Sequence, residues 1–282
     1  MNTGFLRTGV AAACLLASSS NAFAMAFYAA TASGTLSRFD TASPSSAPGS
    51  SVAITGIGFG ETLVGIDIRP RDQKLYTITR DSSNTGRLYS VNTATGAATL
   101  VATLVADPAD LSAPYASLAG NTRFGMAFNP AVDRIRLVGD SGQNYRVNPL
   151  TGLVIHDTDL NPGTPHVAAV AYINSFAGAT TTALYDIDPS VDKLMLQNPP
   201  NNGTVTAVGN LGIDMIDLVG FDITAVGPTN FAYATALVGV STNLYSIDLV
   251  TGAATLVGGM NGNFQAIGIA IVSDHIFANS FE

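Results

Sequence analysis

Five short apolar segments, each built around a glycine or alanine, recur along the chain at residues 63–68, 124–128, 167–172, 218–223 and 267–271. Successive copies start about 45 to 60 residues apart, the spacing of a four-stranded propeller blade. Between copies the pattern is again regular. Residues 74–79, 87–92 and 97–101 follow the first copy, and 231–235, 243–248 and 253–257 follow the fourth, all in strand-like alternation. The third and fourth strands of a unit are joined by Asn92 to Gly96, Asn148 to Gly152 or Asp248 to Gly252. Each join places an Asn or Asp at the strand end and a Gly where a positive φ is wanted.

The two ends of this pattern complete one another. The last apolar strand, 267–272, has no three strands after it, and residues 26–31, 35–40 and 51–55 supply the missing three. The expected fold is therefore all-β: a five-bladed β-propeller closed by N- and C-terminal strands in one shared blade, which removes exposed sheet edges. A six-bladed ring, with a blade hidden in 102–121, is the alternative. That segment, with Pro108 and Pro114, reads as a long loop laid over one face.

Composition supports the class. The chain has 282 residues, 47% of them hydrophobic, enough for a sizeable core. Eighteen of the 20 acidic residues are Asp, and there are two Lys, so helix formers suited to surface positions are scarce. With 20 acidic against 12 basic residues the formal charge is −8, which argues against nucleic acid or an anionic membrane as partner. Residues 1–24 read as a cleaved signal peptide: Arg7, an apolar run, then Ala22-Phe23-Ala24. The expectation is export to the periplasm or beyond, with no membrane span, one propeller domain at 25–273 and a short tail at 274–282. Cys14, the single cysteine, falls inside the leader.

Several segments together resemble the bacterial domain of unknown function numbered 4394. They are Gly65-Ile66-Asp67-Ile68-Arg69-Pro70 within 61–70, Phe128-Asn129-Pro130 opening 128–136, and Asn144-Tyr145-Arg146 within 142–149. Residues 171–174, 181–188, 197–203 and 244–255 complete the set. The resemblance runs over about residues 27 to 272 and implies an exported propeller; it carries no activity with it. One departure from the family pattern is Ala127, where an Asp is usual before Phe128. That weakens any site built on a ring of inner-strand carboxylates.

Candidate chemistry is sparse. Asp67 and Asp222 occupy equivalent places on inner strands, with Ala127, Ala171 and Ala270 at the other three. At a channel mouth two carboxylates could act as acid and base, or as nucleophile, on a glycan. The favoured role is structural: bonding to backbone amides or to an Arg of the neighbouring blade. Absence of Trp further weakens a sugar site. Arg69, Asn129, Arg134, Arg136, Asn144, Arg146 and Asn174 are the candidate ligand-binding residues. Asp157, Asp159 and Asn161 place oxygens at alternate positions, as calcium prefers, and Asp186, Asp188 and Asp192 form a second acidic run. Neither has a closing Glu, and strand-end turns explain both without metal. Gly139-Asp140-Ser141-Gly142 is a protease-like string in a place where a hairpin turn is needed, so it reads as the turn. Tyr76, Tyr89, Tyr185 and Tyr245 recur at one repeat position and read as packing. The leading expectation is a monomeric, non-catalytic propeller binding a protein, polysaccharide or surface ligand. A glycan-directed hydrolase or lyase and a structural envelope component are the alternatives. No cofactor is expected beyond possible calcium.

Overall fold

A computed structural model describes residues 24–272 apart from 47–48, 112 and 262–263; residues 1–23 of the expected leader and the tail at 274–282 lie outside the described residues. Five small sheets form a ring. Blade 1 is β4 (Thr62–Ile68), β5 (Leu75–Arg80), β6 (Gly86–Val91) and β7 (Ala98–Thr103). Blade 2 is β9 (Phe124–Asn129), β10 (Arg134–Gly139), β11 (Asn144–Val147) and β12 (Leu153–His156), with β8 (Val105–Ala106) added at its outer edge. Blade 3 is β13 (Ala169–Tyr172), β14 (Leu184–Asp188), β15 (Lys193–Gln197) and β16 (Val205–Asn210). Blade 4 is β17 (Ile216–Val226), β18 (Thr229–Val238), β19 (Ser241–Ile247) and β20 (Ala254–Gly259). Blade 5 takes β1 (Ala26–Ala30), β2 (Thr35–Asp40) and β3 (Ser50–Ala53) from one end of the chain and β21 (Gly268–Ile271) from the other. Among the described residues the one helical element is a 3₁₀ turn, Pro200–Asn202.

Closure is antiparallel. Phe27 pairs with Ile271 and Ala30 with Gly268, and the Val272 N–H donates to the Ala26 carbonyl. The expected shared blade is present, with five blades and not six.

Inner strands are buried on both faces and read as near-continuous apolar runs, whereas outer strands such as β7, β16 and β20 are exposed on alternate or consecutive positions. One level of the inner ring is made of small residues: Gly65, Gly125, Ala169, Gly220 and Gly268. A Cβ on Gly65 would stand 2.7 Å from the Met126 Cβ, and one on Gly125 2.6 Å from the Val170 nitrogen. Small side chains let neighbouring strands approach closely there, and the axial space at this level shrinks to about 10 Å³, roughly a single water. The core is divided among the blade interfaces. Phe128, Ile135 and Leu137 pack between blades 1 and 2, and Ala127, Val138, Val170 and Leu184 between blades 2 and 3.

The segment 102–121 differs from the expected loop. Its start continues β7, Val105 and Ala106 pair in parallel with Leu153 and Val154, and Leu104, Tyr115 and Leu118 bury into the core between blades 1 and 2. These apolar anchors, spaced among prolines, give it a packing role that its turn-rich composition hides.

Candidate functional site

Asp67 and Asp222 sit inside the walls of the ring, 5% and 7% exposed, and not at an open mouth. The Asp67 carboxylate accepts the N–H of Ile68 at 2.7 Å through one oxygen and that of Phe128, on the next blade's inner strand, at 2.6 Å through the other. Asp222 does the same with Ile223 at 2.7 Å and Ile271 at 2.6 Å. Desolvation pushes Asp222 up to about 7. Burial pushes Asp67 well above the usual carboxylate range, and the Asp222 charge adds to the push. Neither lines any of the cavities described below. Backbone amides, and not arginines, are their partners: Arg69 is committed elsewhere.

Three of the four arginines named from the sequence, Arg134, Arg136 and Arg146, converge on a cleft of about 680 Å³ between blades 2 and 3. Asn129, Arg134, Arg136 and Arg146 line its blade 2 side; Tyr172, Thr182 and the Pro199–Asn202 segment line the other. Strand pairing explains the convergence. Arg136 stands opposite Arg146 on β11, so their side chains share one face of the sheet, and Ile135 and Leu137 turn to the opposite face and the blade 1 interface. Arg136 is 2% exposed. It donates to Asn144 Oδ1 at 2.7 Å, Asp157 Oδ2 at 2.8 Å and Asn201 Oδ1 at 2.7 Å, while its buried Nε has no partner among the described residues. Arg146, about a third exposed, forks onto Asp157 through Nε at 2.7 Å and Nη2 at 2.9 Å. Arg134 is exposed and bonds only to the adjacent Asp133 carbonyl among the described residues. Asn144 stands one step behind the wall, bonded to Arg136 and to the carbonyls of Thr158 and Pro200.

Two sequence candidates fall outside this cleft. Arg69 clamps Asp133 through Nε at 2.7 Å and Nη2 at 2.5 Å and also reaches Asp72, tying the end of β4 to the β9–β10 turn. The Arg69 guanidinium holds the Asp133 carboxyl below its ordinary range. Asn174 exchanges hydrogen bonds with Asn230, a blade 3 to blade 4 link. Asn201, which lines the cleft, and Gln197, which bonds to Asn144 and the Pro200 carbonyl behind it, were missed, although both lie in a segment that carried the family resemblance; nothing in one sequence marks the register that brings Asn201 to Arg136.

The acidic runs are dispersed into separate contacts. Asp157 is taken by two guanidiniums, Asp159 is exposed beside His156, and the Asn161 amide donates to the carbonyls of Asp159 and Asn202. Asp188 caps the His166 and Ser190 amides, and Asp192 accepts from Met215. Among the described residues no three His, Cys, Asp or Glu side chains gather as a metal site. Asp186 is different. It is fully buried at mid-strand, its two oxygens have no hydrogen-bond partner, and burial raises its pKa well above normal against the pull of Arg136. Gly139 to Gly142 forms the β10–β11 turn, in which Ser141 donates to Asn121 Oδ1 and Asp140 accepts the amides of Thr122 and Arg123.

A family model described as a domain of unknown function, DUF4394, matches residues 35–270. The chain belongs to the DUF4394 family. Among solved structures, this DUF4394 chain is similar to a protein of unknown function from Bacteroides thetaiotaomicron VPI-5482. The identity is 14%, the TM-score 0.51, and the match covers 89% of this chain and 67% of that one. A protein from Lactobacillus plantarum matches at 18% identity and a TM-score of 0.45, over 87% and 71% of the two chains. The Bacteroides likeness shows the fold alone. No curated protein matches this DUF4394 sequence significantly. No helix among its described residues is long and apolar enough to cross a membrane.

Proposed function

We propose that this DUF4394 protein is an exported, non-catalytic propeller that takes its ligand in the cleft between blades 2 and 3. The observation that carries the reading is the cleft itself. It is of ligand size, and four of the seven polar residues singled out from the sequence line it. The two inner-strand carboxylates, the best catalytic candidates, speak for a structural role: each oxygen is spent on a backbone amide, and both groups are shut off from solvent. The leader at 1–24 supports export to the periplasm or the cell exterior.

The test is a binding panel of polysaccharides and envelope-derived peptides, with product release assayed in the same samples. A Val132→Trp variant serves as the block, because Val132 lines the cleft and is 59% exposed, so a large ring there fills space without disturbing the core. The expected result is saturable binding without turnover, weakened at least about tenfold by Val132→Trp. Product release, or binding indifferent to the block, would overturn the reading.

A further inference from the structure

The cleft between blades 2 and 3 is rich in hydrogen-bond donors and has no carboxylate among its lining residues. Its lining contains three arginines and no Asp or Glu. Asp157, bonded to both Arg136 and Arg146, offsets one of their charges. Three asparagines line it, and two of them are oriented by their own bonds. Asn129 Oδ1 accepts the amides of Ala131 and Val132, and Asn201 Oδ1 accepts from Arg136, so each side chain is left with an unpartnered NH₂ group. Backbone acceptors are consumed as well: the Pro200 carbonyl by Asn144 and Gln197, the Asn202 carbonyl by Asn161, and the Asp133 carbonyl by Arg134.

Deeper in, the Arg136 Nε is buried with no acceptor among the described residues. A buried, unpaired guanidinium N–H is costly, and a native fold keeps one where something else completes it. Asp186 of the facing blade does not do so. The β14 register puts it on the strand face shared with Leu184, toward the blade 2 interface that Arg136 also faces, yet neither of its oxygens bonds to Arg136.

We infer that the cleft takes an oxyanion, a carboxylate or a phosphate-type group, with Arg134 as the exposed guanidinium that meets it and Asn129 and Asn201 as flanking donors. A planar or tetrahedral oxyanion supplies the charged acceptor that the lining lacks, and a guanidinium fork matches it. The overall charge of −8 sets a limit: an extended polyanion is repelled by the rest of the surface, so the anionic group belongs to a ligand of low total charge.

The inference rests on the cleft being the ligand site, and the probes separate the two claims. Calorimetric titrations would use trigalacturonate for the carboxylate source, inorganic pyrophosphate for the phosphate source, and the trimethyl ester of trigalacturonate as a neutral counterpart of the same shape. Expected are saturable binding of at least one anionic probe, at least about tenfold weaker binding of the ester, a similar loss in Arg134→Gln and partial recovery in Arg134→Lys. The melting temperature of Arg134→Gln should equal that of the parent, since Arg134 bonds only to its neighbour's carbonyl. Three outcomes overturn the oxyanion assignment: the ester binding as well as the acid, Arg134→Gln leaving anion binding unchanged, or neither anion binding up to millimolar concentration. If the neutral ester alone binds, and Val132→Trp blocks it, the cleft stands as the site and only the ligand class falls. If nothing in this set or in the broader panel binds at the cleft, both claims fall together.

Discussion

Asp67 on the inner strand of blade 1 accepts the backbone N–H of Phe128 on the inner strand of blade 2 at 2.6 Å, and Asp222 repeats the contact from blade 4 to Ile271 of blade 5. The shared distance and the shared repeat position mark one device used twice. Each carboxylate satisfies an amide at a junction where two inner strands lie side by side without a sheet ladder between them. Removing it strands that amide in the core. Asp67→Ala and Asp222→Ala should each cost about 1–3 kcal/mol at pH 5. Urea unfolding measures this, and two unchanged midpoints would remove the device from the account of how blades are joined.

The same burial makes stability depend on pH. The folded-state pKa of Asp222 is raised, from about 3.8 to about 7, so the native state holds a proton that the unfolded chain has released. Stability should therefore be greatest below about pH 4 as far as this group is concerned. It should decline as the pH rises through the interval to 7, by on the order of 4 kcal/mol. Asp67, raised for the same reason, adds to the decline. Asp222→Asn should flatten the profile between pH 4 and pH 8. Denaturant titrations across that range decide it; equal slopes for parent and variant would contradict the shift.

Arg69 and Asp133 work in the opposite sense. The Asp133 pKa is lowered by Arg69, so its contribution is present above the unfolded value near 3.8 and fades as the pH falls below that. Arg69 is 5% and Asp133 21% exposed, so the pair is not fully shielded from water. Arg69→Ala should cost about 2–3 kcal/mol at pH 6, less than the 3–5 kcal/mol typical of a fully buried pair, because Asp133 keeps water and Arg71. A double-mutant cycle with Asp133→Ala, with a coupling of at least about 1 kcal/mol expected, is the check.

Deleting residues 26–55 should strip β1, β2 and β3 from blade 5 and leave β21 unpaired along its outer edge. Insolubility or loss of cooperative unfolding is the expected outcome. Sedimentation and thermal melts read it out directly, and a soluble, monomeric, cooperatively melting deletion protein would show that closure is dispensable.

Much of this architecture was legible because it is periodic. Gly65, Gly125, Gly220 and Gly268 mark the inner strands in the sequence, and Asn92 to Gly96 and its relatives mark the outer turns. Gly96 has φ +75°, and a Cβ there would stand 2.1 Å from the Ala53 carbonyl oxygen of the adjacent blade, so the residue type is forced twice over. The site was legible only in part. The arginines were visible as residue types, but not which of them would be neutralised. Asp157 read as a strand-end turn residue, with calcium as the alternative from its spacing with Asp159 and Asn161. In the fold Asp157 falls just after β12, within reach of Arg136 and Arg146, because pairing between strands far apart in sequence decides its neighbours. Asp186 looked like a turn acid, and the β14 register puts it at mid-strand inside an interface.

The antiparallel pairing of β1 with β21 also fixes how the ring responds to force. The Ala26 end of β1 lies beside the Ile271 end of β21, so a pull applied through both ends of the chain opens that ladder one hydrogen bond at a time, as a zipper opens. Each bond then bears the load alone, whereas strands pulled from opposite ends share it in shear. The seam that closes the ring is thus its mechanically weak point when the two ends of the chain are drawn apart.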